Sequence, residues 1–160
     1  MVYNEAKMKH QRQIIFTREG YETLQKKHEQ LLRERKDAVE QLKKAREMGD
    51  LSENGFYKAA KAKLGSIDHQ LRQTAHSLRF GKVIQASSSD TIQIGTPIYI
   101  DDGNRKREIT LVGEQEADPL QGKISAYSPL GKGLIGKKQG EAVEIETPKG
   151  KMKYTIEKIR

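Results

Sequence analysis

Cysteine and tryptophan are both missing from this chain of 160 residues. Without cysteine there can be no disulfide, thiolate metal site or cysteine nucleophile. The composition suits a reducing compartment, and a cytoplasmic location is expected. Aromatic residues make up only 6% of the chain. Hydrophobic residues, at 34%, barely exceed charged residues, at 32%. That balance disfavours one large core and fits elongated helices with much solvated surface. The first twenty residues lack the apolar run of a signal peptide, and no stretch is apolar enough to span a bilayer. No Gly-rich phosphate loop, no His-x-x-x-His pair and no Ser-His-acid arrangement is present, so no complete active site is legible.

Positive charge is what the chain has in excess, with a formal net charge of +8. It is unevenly spread. Residues 1–80 carry 17 basic and 11 acidic residues, and residues 81–160 carry 13 and 11. An anionic partner is implied, with nucleic acid the better match than a membrane surface.

The first half has a helical period. Residues 1–13 read as a flexible basic tail, and residues 14–80 as a hairpin of two helices. Thr17 is placed as the N-cap of the first helix. Tyr21, Leu24, His28, Leu31, Arg35, Ala38, Leu42 and Ala45 then recur at alternating steps of three and four. The same stepping resumes at Tyr57, Ala60, Leu64, Ile67, Leu71, Thr74 and Leu78. Two such patterns joined by a short segment containing Gly49 predict an antiparallel coiled-coil hairpin. Counting symmetrically about the turn sets Leu31 against Thr74, Arg35 against Leu71 and His28 against Leu78. About thirty residues at ~1.5 Å each give an arm of about 45 Å.

From Gly81 the period changes. Short β-rich runs alternate with turn signals over residues 81–160. Asp102-Gly103-Asn104 separates Pro97–Ile100 from Glu108–Val112, and Pro148-Lys149-Gly150 separates Val143–Glu146 from Lys153–Ile159. Ser128 and Pro129 read as N-cap and first residue of a short helix that Gly136 ends. The fold class is α+β: a coiled-coil hairpin followed by a small antiparallel β domain with one short helix.

The segment joining the helices, 47–54, holds Glu47, Asp50 and Glu53 and no cation. Asp50 and Glu53 have the spacing of a capping box for the second helix. The same carboxylates could also contribute to a Mg²⁺ site, since that ion prefers oxygen ligands and takes one or two protein carboxylates with water and phosphate. Two acids on a turn cannot close such a site, so any site would be shared with another macromolecule. Lys43, Lys44 and Arg46 precede this tip, and Lys58, Lys61 and Lys63 follow it. These cations would draw a phosphodiester strand toward the carboxylates. Tyr57 belongs to the seam, while Phe56 lies off it and is placed to meet solvent or a partner.

Several of these runs resemble the bacterial Gre transcript cleavage factors. Phe16 to Leu24 is similar to their helix opening. Ala45 to Asn54, then Tyr57 and Ala59-Ala60-Lys61, resembles their tip. Glu116-Ala117-Asp118, Ile124-Ser125, Ser128-Pro129 and Gly133 to Lys137 resemble their C-terminal signature. The likeness runs from Ile15 to Ile159, nearest the A type at the tip and C-terminal motifs, with an arm as basic as the B type. It implies a C-terminal domain of FKBP-like topology that binds RNA polymerase through Ser128 and Pro129. It implies that the hairpin enters the secondary channel, where Asp50 and Glu53 help hold a Mg²⁺ in the polymerase's own active site. Ser52, Asn54, Lys43, Lys44, Arg46, Lys58 and Lys61 would meet the tip's surroundings and the nascent RNA 3′ end. The polymerase would then cleave backtracked RNA. The chain itself would be a monomer and no enzyme.

Gly55-Phe56 stands where the family often has Ala-Glu, Tyr127 takes an often polar position, and Gly131-Lys132 replaces a common Ala-Arg. Other classes are a channel-occupying inhibitor of polymerase, a prolyl isomerase and a plain coiled-coil module. Retention of both tip acids favours cleavage over inhibition. The scarcity of aromatics beyond Gly81 argues against an isomerase pocket, and fold alone is not function. A plain coiled coil leaves the acid cluster unexplained.

Overall fold

The computed structural model describes residues 13–47, 55–85, 90–147 and 150–160. The chain divides into two compact units, Tyr21–Phe80 and a second made of Met1–Gly20 with Gly81–Arg160.

The first unit lies in two helices, α1 (Arg18–Glu47) and α2 (Gly55–Phe80). They run antiparallel. His28 contacts Thr74, Arg35 contacts Asp68 and Lys63 contacts Gln41, so partners draw closer in sequence toward the far end. Leu31, Ala38 and Ala45 are buried from α1, and Ala60, Ile67 and Thr74 from α2. These are seam positions of the stepping pattern. Ser77 is buried as well, off that pattern. Arg35 is the seam position that leaves the interface: it is exposed and pairs with Asp68 at 2.7 Å. A solvated pair of this kind is worth at most about 1 kcal/mol.

The facing pairs differ from a symmetric count. His28 meets Thr74 where Leu78 was expected, and Arg35 meets Asp68 where Leu71 was expected. The offset is three or four residues of α2, one turn. In a coiled coil each knob enters a hole made by four residues, so layers do not pair one to one. His28 Nδ1 lies 2.7 Å from Thr74 Oγ1, which is itself 3.0 Å from the Gln70 carbonyl. With the proton on Nδ1, His28 donates to the hydroxyl and the hydroxyl donates back along its own helix. Tyr21 closes the other end, its hydroxyl donating to the Leu78 carbonyl at 3.1 Å.

The second unit begins earlier than the change of period suggests. β1 (Ile15–Phe16) pairs in parallel with β2 (Lys82–Val83). Expected as the first residues of the hairpin segment, Ile15 and Phe16 instead pack as buried strand residues. Their apolar side chains find cover there that a solvated helix end would not give.

The main sheet contains β3 (Pro97–Asp101), β4 (Lys106–Val112), β5 (Lys123–Ser125), β6 (Ala142–Thr147) and β7 (Gly150–Ile159) in the order β5-β4-β3-β7-β6. The expected antiparallel pairing holds except between β4 and β5, which are parallel. The connection explains the exception. Residues 113–122 form two 3₁₀ turns, Glu114–Glu116 and Pro119–Gln121, long enough to bring the chain back for a parallel pairing. Asp102-Gly103-Asn104 makes the β3–β4 turn as read, with Gly103 at φ +85°. Pro148 and Lys149 of the other turn signal lie outside the described residues, though Thr147 and Gly150 pair across it.

One sheet face is apolar. Ile98 and Ile100 of β3, Ile109 and Leu111 of β4, Val143 and Ile145 of β6, and Tyr154 and Ile156 of β7 form one core with Ile92 and Leu134. Leu134 comes from α3 (Pro129–Leu134), the short helix that covers this face. Each such side chain contributes about 1.5–3 kcal/mol on burial.

Candidate functional site

Near the far end the seam carries the alanines Ala45, fully buried, and Ala60, nearly so, followed by the half-buried Tyr57. Lys43, Lys44 and Arg46 on α1, and Lys58, Lys61 and Lys63 on α2, are all exposed.

Two cross-helix contacts organise these cations. The Arg46 guanidinium sits 5.9 Å from the centre of the half-buried Tyr57 ring. A cation over an aromatic face is worth about 0.5–1 kcal/mol at such a site. Lys63 donates to Gln41 Oε1 at 3.2 Å. The arrangement leaves Glu47 as the acid beside six cations on the described part of this end. Asp50, Ser52, Glu53 and Asn54, the tip residues expected to act, lie outside the described residues. Among the described residues, no three His, Asp or Glu side chains are grouped to hold a metal ion.

The structure makes Ser128 a helix cap. Its Oγ accepts from the Gly131 N–H at 3.0 Å and donates to the Ser125 carbonyl at 2.7 Å. Pro129 takes the first helical position and remains exposed. Gly131 is required by the same turn, since a Cβ there would fall 2.1 Å from the Ser125 carbonyl oxygen. The Ser128 hydroxyl thus caps the helix, and Pro129 beside it is exposed. Tyr127 donates from its hydroxyl to the Gln13 carbonyl at 3.0 Å.

One interaction had little local signal. Glu116, on the first 3₁₀ turn, accepts from the Thr17 N–H at 2.7 Å and from its hydroxyl at 2.5 Å. Thr17 Oγ1 in turn accepts from the Gly20 N–H at 3.0 Å, which confirms Thr17 as the N-cap of α1. The one hint was Gly20 at the third helical position, where a capping box carries Glu or Gln.

An open cleft of about 430 Å³ lies between Thr17, Arg18 and Glu19 on one side and Thr110, Val112 and Lys123 on the other. Among the described residues no aromatic lines it. Among the described residues no helix is long and apolar enough to cross a membrane.

Comparison with known proteins accounts for both units. Residues 14–83 match the model for the N-terminal region of transcription elongation factors, and residues 87–160 match the GreA/GreB C-terminal model. Transcription elongation factor GreA of Thermosipho africanus is 39% identical over 146 residues, covering 89% of this chain and 94% of that protein. The GreA of Clostridioides difficile is 35% identical over 158 residues, covering 96% and 99%. Among solved structures, the GreA factor homolog Gfh1 of Thermus thermophilus is 26% identical, covers 93% of this chain and 99% of its own, and superposes with a TM-score of 0.45. With relatives this similar along nearly their whole length, the chain belongs to the GreA/GreB family of transcription elongation factors, and to its GreA type.

Proposed function

We propose that this chain binds RNA polymerase and stimulates the polymerase's own cleavage of backtracked nascent RNA. The observation that carries the reading is the cationic far end of the hairpin. Lys43, Lys44 and Arg46 on one helix and Lys58 and Lys61 on the other flank the segment that contains Asp50 and Glu53. In this reading that end enters the secondary channel of the polymerase, and the C-terminal unit is the anchor, with Ser128 and Pro129 at the contact. The chain acts as a monomer.

The donor chemistry fits a shared Mg²⁺. Asp50 and Glu53 provide carboxylate oxygens, the ligands a hard cation prefers, and too few of them to hold it alone. Bound there, the ion would supply a coordinated water of lowered pKa and charge to offset that of the scissile phosphate. The chain's own work is positional. The flanking lysines and arginine hold the phosphodiester backbone by charge, without reading sequence. Asp50 and Glu53 orient the water, and Ser52 and Asn54 contact the surroundings of the RNA 3′ end.

The test is Asp50→Ala with Glu53→Ala in stalled elongation complexes with Mg²⁺. Cleavage should fall at least about 100-fold, the scale of losing a positioned acid or base, while polymerase binding survives. Unchanged cleavage by the variant sinks the assignment. A wild-type protein that blocks elongation and shortens no transcript would establish an inhibitor instead.

A further inference from the structure

Phe56 stands in the first turn of α2 with 65% of its surface open to solvent. It is the large apolar side chain that folding leaves most exposed among the described residues of the hairpin. The neighbouring Tyr57 is half-buried and lies against Arg46, so the two adjacent aromatics have different roles.

The surroundings of Phe56 indicate what it could meet. On a helix the residues three and four positions on share its face. Here they are Ala59, exposed, and Ala60, buried in the seam. Both are small side chains. Two turns along the same face stands Lys63, tied to Gln41 of α1. Lys44 lies one turn from Gln41 toward the far end, and Lys58 follows Phe56 on the exposed side of α2. Among the described residues of this end the apolar area beside the ring is small and six cations stand with one acid, whereas a protein contact needs a contiguous apolar patch. This end has the two elements of a single-stranded nucleic-acid site, a ring for stacking and positive charge for the backbone.

We infer that Phe56 stacks on an unpaired base of single-stranded RNA, with Lys58, Lys63 and Lys44 on the adjoining phosphates. The inference rests on the proposed function for bringing RNA to this end. It adds a contact made to the base, tolerant of sequence because every base has a π face. Phe56 would then be a positioning residue that holds the strand, while the carboxylates act on the reacting phosphate.

The experiment titrates the full-length chain into a fluorescent single-stranded RNA of about ten nucleotides, a length matched to stacking grooves, over a series of salt concentrations. Phe56→Ala should weaken binding about 5- to 150-fold, the range for one stacked base, without changing the salt slope. Phe56→Tyr should restore affinity. Lys58→Ala with Lys63→Ala should instead lower the slope by about 1.4, as two lost phosphate contacts require. An oligonucleotide with abasic sites should bind wild type no better than Phe56→Ala binds the normal strand. Because the chain has no tryptophan, Phe56→Trp supplies a single reporter whose fluorescence should be quenched by RNA. Circular dichroism checks that each variant keeps its helices.

Equal affinity of wild type and Phe56→Ala overturns the inference. So does an unquenched Phe56→Trp, or wild type that binds no RNA at low salt. A Phe56→Ala variant that keeps RNA affinity and loses polymerase affinity makes the residue a protein contact, and likewise overturns it. The titration contains no polymerase, so its outcome is independent of the Asp50 and Glu53 cleavage test.

Discussion

Glu116 does for α1 what the third residue of the helix cannot. Its carboxylate accepts both the N–H and the hydroxyl of Thr17, 99 positions away. In a capping box that backbone donor is met by a Glu or Gln at the third helical position. Here the third position is Gly20, and a Cβ on it would fall 1.9 Å from Glu116 Oε2. The absence of a side chain at one residue makes room for a carboxylate from the other end of the sequence.

This relationship predicts a change of sign. Glu116→Ala should destabilise by about 1–2 kcal/mol, the value of a helix cap with its hydrogen bonds, or about 2–8 °C in Tm at this size. Gly20→Ala in the wild-type background displaces the carboxylate and should give no gain. With Glu116 already alanine, Gly20→Ala should stabilise by about 0.5–1 kcal/mol, the helix preference for alanine over glycine. Thermal unfolding of the four proteins tests it, and equal effects of Gly20→Ala in both backgrounds would refute it.

The polar layer in the hairpin predicts non-additivity. Thr74→Val removes the partner of His28 Nδ1 and should cost about 1–2 kcal/mol in a buried setting. His28→Leu combined with Thr74→Val replaces the pair by apolar groups and should recover most of that loss. A double-mutant cycle by chemical denaturation gives the coupling. A coupling near zero would mean the 2.7 Å contact does not contribute to stability.

Around α3, folding and partner contact should separate. Ser128→Ala loses the cap and should cost about 1 kcal/mol. Gly131→Ala forces a Cβ against the Ser125 carbonyl and should cost about 1–3 kcal/mol or more. Pro129→Ala touches neither bond, so its effect should be on polymerase affinity with little change in Tm. A large drop in Tm for Pro129→Ala would count against the exposed ring being a contact residue.

Two groups of the β3–β4 hairpin should respond to pH in opposite directions. Asp102 accepts from the Asn104 and Arg105 N–H groups, and these bonds hold its carboxyl below the usual carboxylate range. A depressed folded-state pKa gives stability that is present above the unfolded value and lost as pH falls through the folded one. Tyr99 donates to Glu108 Oε2 at 2.6 Å, and that bond raises its pKa above the ordinary tyrosine value. Its contribution is complete below the unfolded value and lost as pH rises through the folded one. Amide exchange in the β3–β4 hairpin should therefore quicken toward acid and toward strong alkali. Asp102→Asn should flatten the first limb and Tyr99→Phe the second; an unchanged acid limb in Asp102→Asn rules out the first cause.

Much of this molecule is written locally. The three-and-four stepping from Tyr21 to Ala45 and from Tyr57 to Leu78 requires two helices that bury one stripe, because a 3.6-residue period can cover its apolar face only against another such stripe. Alternation in β6 and β7, Asp-Gly-Asn at a turn, and Ser-Pro at a helix start act within a few residues. So did Thr17, and so did the cations flanking Asp50 and Glu53, whose charge and order needed no fold to be seen. The tertiary structure decided what depends on distant partners. It took Ile15 and Phe16 out of the hairpin segment to meet Lys82 and Val83, turned β5 parallel to β4, shifted His28 one turn along α2, and occupied the Ser128 hydroxyl within its own turn. Periodicity reports which face of an element is apolar; which side chain finally covers that face, or leaves it to solvent, is set by packing between segments far apart in the chain.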